Sequence, residues 1–169
     1  SKAILRGAFL DGADLSGADL TDSRLTGARF AGANLCDAVL AGAEATDANF
    51  YEANLTNARL RNAKLTGVVF EDAIMNGVDF TGATLAEANF MRANLRGQDL
   101  AGIMFRGACL MDANLAEANL KEADFSNACL IDANLRGADL TGANFSGADL
   151  RGVNLEYTHI DGAKFENAL

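Results

Sequence analysis

The sequence has no proline and no tryptophan, a single histidine and only three cysteines. No second histidine or paired-cysteine spacing accompanies His159, so no metal site can be drawn and a solvated side chain is expected there. No apolar run approaches the ~20 residues of a membrane helix. Positive charge is also scarce. Fourteen Lys and Arg stand against 23 Asp and Glu, net charge −9, which disfavours direct binding of nucleic acid. No insertion interrupts the chain to build a concave pocket, so neither catalysis nor a cofactor is expected. The chain opens on Ser1 rather than Met, so the absence of a leader says little about compartment. Localisation stays open, with the cytoplasm as the default.

What is present is a five-residue frame that never slips. Every position divisible by five, from Leu5 to Phe165, is apolar: Leu or Phe except for Ala45, Met75 and Ile160. Two residues earlier the side chain is small. From Ala3 to Ala168 it is Ala except at Ser23, Val68, Val78, Gln98, Ile103, Val153 and Thr158. All 17 glycines fall two residues after the apolar position. In Ala13-Asp14-Leu15-Ser16-Gly17 the first three residues alternate in, out, in, as in a short strand, and Ser-Gly is a turn signal. One such unit cannot bury a core alone and must stack on its neighbours.

The phenylalanines set the number of units per turn. Phe30, Phe50, Phe70 and Phe90 are 20 residues apart, as are Phe105, Phe125, Phe145 and Phe165. Rings gain by lying over one another in successive coils, so a coil holds four units and has a square cross-section. Asn34, Asn54, Asn94, Asn114, Asn134 and Asn154 share one outward column, broken by Ile74, and are expected to form an amide ladder.

The repeated Ala-Asn-Leu or Ala-Asp-Leu opening of each unit resembles the pentapeptide repeat proteins over residues 3–168. The resemblance implies an all-β fold: a right-handed quadrilateral parallel β-helix of about eight coils of 20 residues. A single such solenoid is expected over 1–169, with an internal seam near 98–103. There the bulky Gln98 and Ile103 break the Ala column, and the Phe column moves to the neighbouring wall. Local drift with a bulge and the joining of two ancestral blocks both account for that seam.

Exceptions to the pattern are the candidates for function. Tyr51, Met91, Met111 and Ile131 form an outward apolar column, interrupted by Glu71, and Val69, Cys109 and Cys129 lie in the column beside it. A corner ladder of Glu52, Asp72, Asp112 and Asp132, broken by Arg92, runs alongside. Solvent columns are normally polar, so this wall is the expected surface for a protein partner. Cys109 and Cys129 stack one coil apart, within disulfide range by Cα spacing, although in-register strands seldom offer the torsion. Cys36 is isolated.

Ile4 and Phe9 are outward and apolar beside the first open β edge. At the other end only Leu169 matches them, with His159 and Lys164 polar. Ile4 and Phe9 are therefore expected either to pack under N-terminal residues missing from this chain or to make an end-to-end contact, a homodimer head to head through the N-terminal end.

The functional expectation is a rigid, non-catalytic binding or scaffold protein whose partner the chain does not name. The alternative, implied by the resemblance alone, is a DNA mimic that binds DNA gyrase. Charge weighs against it. Duplex DNA of ~40 Å carries about 24 charges, whereas this chain has −9, of which residues 98–169 supply the larger part.

Overall fold

The computed structural model describes residues 2–169. Every bridge is parallel and joins residues 20 apart, from Ile4–Arg24 through Asn144–Lys164. Four units separate bridged residues, so the chain turns four corners per coil. The outward bridging residues define the four walls, called here the Lys64, Cys109, Asn114 and Asp139 walls.

One unit shows how the backbone is satisfied. Leu110 N–H donates to Cys129 O (2.7 Å) and Asp112 N–H to Ile131 O (3.0 Å), both in the next coil. Asn114 N–H donates to Ala93 O in the previous coil (3.0 Å), and Ala113 N–H turns back onto Leu110 O (3.1 Å). This leaves the amide after the apolar residue without a backbone partner. An outward Asn or Asp supplies one: Asn114 Oδ1 accepts from Ala116 N–H (3.2 Å) and Asp124 Oδ1 from Ser126 N–H (2.9 Å). The Ala-Asn-Leu and Ala-Asp-Leu openings are thus a hydrogen-bonding requirement of the corner.

The next residue of each corner has positive φ. Glycine takes it freely, and Asp and Asn accept it, as at Asp132 (φ 57°). Glu52, Glu87, Arg92, Glu117, Glu122 and Tyr157 are held there as well, against their intrinsic preference.

From Leu25 to Phe145 the apolar positions are fully closed to solvent or nearly so, and the Ala column lies inside with them. Inward polar groups are paired. Ser23 Oγ donates to Leu20 O (2.6 Å), Gln98 Nε2 to Met75 O (2.9 Å) and Thr158 Oγ1 to Leu155 O (2.8 Å). Phe30 and Phe50 stack at 4.8 Å, Phe105 and Phe125 at 5.0 Å, and Phe125 and Phe145 at 4.9 Å. The two stacks meet edge to face, Phe90 on Phe105, at 5.6 Å and 76°.

Beneath that junction the coil-to-coil ladder opens. The N–H groups of Met75, Gly77, Phe80, Gly82 and Leu85 do not reach the next coil. Those of Asn94, Asp99 and Met104 do not reach back. Gln98 stands over Val78 and Ile103 over Ala83, in a column whose ~4.8 Å spacing suits Ala on Ala. The bulk loosens the coils: no bridge joins Asp79 to Asp99 on the Asp139 wall, while Ile74–Asn94 on the Asn114 wall and Thr84–Met104 on the Lys64 wall still pair in register with lengthened bonds. The Cys109 wall stays closed, with Phe70 N–H on Asn89 O and Phe90 N–H on Cys109 O, both at 2.7 Å.

Candidate functional site

The Cys109 wall carries the apolar exceptions. Val69, Cys109 and Cys129 project from its centre, and Tyr51, Met91, Met111 and Ile131 from the adjoining corner. Tyr51 is 36% exposed, at the exposed limit. The other six are half-buried, packed along the wall instead of standing free of it as outward placement had implied. Long side chains repeating every ~4.8 Å cover one another, which withdraws each from water.

The backbone changes with the side chains. Asn49 and Asn89 cap the corner amides of Tyr51 (2.8 Å) and Met91 (3.0 Å). Cys109 and Cys129 have no oxygen to offer, so the N–H groups of Met111 and Ile131 are left without that partner. Val69 leaves the Glu71 N–H in the same condition, so the wall presents apolar surface together with three uncapped donors.

The corner beside it is acidic and unevenly neutralised. Arg92 reaches Glu71 (2.6 Å) and Asp72 (2.9 and 2.6 Å), which holds the Asp72 carboxyl below its ordinary range. The Tyr51 hydroxyl bonds to Glu52, which raises its pKa. Asp112 and Asp132 make no ion pair. Asp132 Oδ1 instead folds over Gly152 of the next coil. At the top of the wall Arg151 grips Asp149 (2.8 and 2.6 Å) and lies near Cys129.

On the other walls some outward acids are locally engaged, while Asp22, Asp47, Glu87 and Glu122 make no ion pair among the described residues. Asp139 accepts from the Thr141 hydroxyl (2.6 Å) and amide (3.1 Å) and pairs with Lys121 (3.1 Å), which holds its carboxyl at about 2. In the amide ladder Asn114 donates to Asn94 (3.3 Å) and Asn134 to Asn114 (3.4 Å). His159 is exposed, and Cys36, Cys109 and Cys129 are free thiols. Among the described residues no group of three or more His, Cys, Asp or Glu is placed to hold a metal, and no helix is long and apolar enough to cross a membrane.

At the N-terminal end Ile4 (72%) and Phe9 (78%) are exposed, with the Arg29 guanidinium over the Phe9 ring at 5.3 Å. The other end differs from the sequence expectation. Besides Leu169 it exposes Leu155, Tyr157, Ile160 (51%) and Phe165. Counting outward positions alone missed these. Leu155, Ile160 and Phe165 are inward residues of the last described coil, and Tyr157 sits at a corner under Arg136.

Eight copies of the profile for pentapeptide repeats match this chain, beginning with residues 1–30 and 28–67 and ending with 88–127 and 128–167. No curated protein sequence matches it. Among solved structures it is similar to HetL, a pentapeptide repeat protein involved in heterocyst differentiation regulation from Nostoc sp. strain PCC 7120. That match has 33% identity over 99% of this chain and 82% of HetL, with a TM-score of 0.58. Trypsin-treated QnrB1, a plasmid-mediated fluoroquinolone resistance protein, shares the fold at 22% identity, over 99% of this chain and 88% of that one, with a TM-score of 0.62. These relatives imply a right-handed quadrilateral β-helix.

Proposed function

The chain belongs to the pentapeptide repeat family, and on that premise we propose that it is a rigid, non-catalytic binding protein of about eight coils that docks a protein partner on its Cys109 wall. The observation that carries this reading is the conjunction on one wall of half-buried Met91, Met111 and Ile131, the uncapped amides of Met111 and Ile131, and the unpaired carboxylates of Asp112 and Asp132. The partner's chemistry follows by complementarity. It is a segment with apolar side chains to cover the Met–Ile column, Lys or Arg to meet the corner acids, and a carbonyl edge for the uncapped donors.

A displayed random-peptide library selected against this chain tests the reading. The expected binders combine apolar and basic residues. They lose affinity for a chain with Met91, Met111 and Ile131 replaced by Ser, which keeps its fold because the core is untouched. Binders that hold the triple variant equally well overturn the proposal.

DNA mimicry remains the alternative, favoured only by the acid excess of residues 98–169. Inhibition of gyrase supercoiling that survives the triple replacement decides for it.

A further inference from the structure

Cys109 and Cys129 are bridged residues of adjoining coils on the wall where the ladder is intact. Two backbone bonds set their separation, Leu110 N–H to Cys129 O (2.7 Å) and Cys129 N–H to Ala108 O (2.9 Å), and two more tie the pair to the coils on either side, Cys109 N–H to Ala88 O (2.9 Å) and Leu130 N–H to Asp149 O (2.8 Å). Both side chains face outward in register and both thiols are free and half-buried. In-register β-carbons repeat at roughly 4.8 Å. A disulfide needs them at about 3.8 Å, and the ladder resists that approach. Two metal–sulfur bonds of about 2.3 Å laid end to end span roughly 4.6 Å, which fits.

The geometry points to Cys109 and Cys129 as a two-thiolate site for a soft monovalent cation of the Cu(I) class. Donor count decides the metal. Zinc takes four ligands, and no third His, Cys, Asp or Glu joins the pair among the described residues. Cu(I) favours thiolate sulfur and is the softest of the common candidates. Met91 and Met111, half-buried in the adjoining column, make the neighbourhood of the thiols polarizable and apolar. On ligation each thiol releases its proton to solvent, two metal–sulfur bonds form, no electron moves, and the complex carries one negative charge. Arg151, near Cys129, offsets that charge while already gripping Asp149. The site does not depend on which protein covers the wall.

Anaerobic titration of the full chain with Cu(I) against the competing chelator bicinchoninate tests it. The wild-type chain is expected to retain one equivalent, and X-ray absorption to show two sulfur neighbours. Cys109→Ser and Cys129→Ser each lose the retained metal, while Cys36→Ser keeps it. Retention by either single variant, loss in Cys36→Ser, or a wild-type metal with ligands other than two sulfurs overturns the assignment. The absorption measurement uses the unaltered chain and stands whether or not the variants fold.

Discussion

At the residue scale the fold rests on what one side chain does for its own corner. The outward Asp or Asn caps an amide that the ladder cannot reach, and where it is Asp this couples stability to pH. Asp139 is the clearest case, with the Thr141 hydroxyl first among the groups that depress its pKa from the ordinary carboxylate range to about 2. A carboxyl with a folded-state value below its unfolded one contributes stability above pH ~4, and that contribution disappears as pH falls toward about 2. Asp139→Asn keeps the acceptor for the Thr141 amide and removes the charge. Thermal melts at stepped pH are therefore expected to show a shallower fall between pH 4 and 2 for the variant. An identical pH profile would mean the Thr141 and Lys121 contacts do not distinguish the two protonation states. The positive-φ corner was legible in the glycine spacing. That Glu52, Arg92 and Tyr157 adopt it as well was not, because their own preferences point elsewhere and only the coils on either side hold them there.

At the scale of a coil, the repeat sets a spacing and the side chains decide whether it is met. Ala over Ala meets it, whereas Gln98 over Val78 and Ile103 over Ala83 do not. The result is a ladder loosened on three walls, with the Asp79–Asp99 bridge lost, and tight on the fourth, with Gln98 Nε2 on Met75 O spanning the inside. Sequence reasoning singled out Gln98 and Ile103 by their bulk. It did not reach the consequence, because the five-residue frame continues unbroken through them and bridges on either side keep the 20-residue register. Amide hydrogen exchange checks this directly. Phe80, Gly82, Leu85, Asp99 and Met104 are expected to exchange much faster than Phe105, Leu110 and Leu115, whose amides lie in the closed ladder. Replacing Gln98 and Ile103 together with Ala is expected to slow exchange at the first group. Uniform protection along the wild-type chain would show that the gap is closed in solution.

At the scale of the whole molecule, the rod has its open β edges at its two ends, and both carry apolar side chains. We propose that copies of this chain meet through Ile4 and Phe9, whose exposure is the largest among the apolar residues at that end. Ile160, Phe165 and Tyr157 offer a competing apolar surface at the other end. Sedimentation velocity separates the two. Ile4→Asn with Phe9→Asn is expected to convert a dimer to a monomer with little change in melting temperature, because neither side chain is in the core. A dimer that persists in that variant, or a wild-type monomer at high concentration, removes the N-terminal contact.

The sequence by itself determined the family, the strand-and-corner unit, the four-unit coil and the inward and outward faces. A strict five-residue period with a 20-residue aromatic column is a local rule repeated until it becomes the fold. Three things were decided only when coils were laid on coils: the gap beneath Phe90 and Phe105, the half-burial of the Met91–Ile131 column, and the exposed core at the C-terminal end. Each depends on whether neighbours 20 residues away leave room or supply cover, and that is a property of stacking which no single five-residue unit contains.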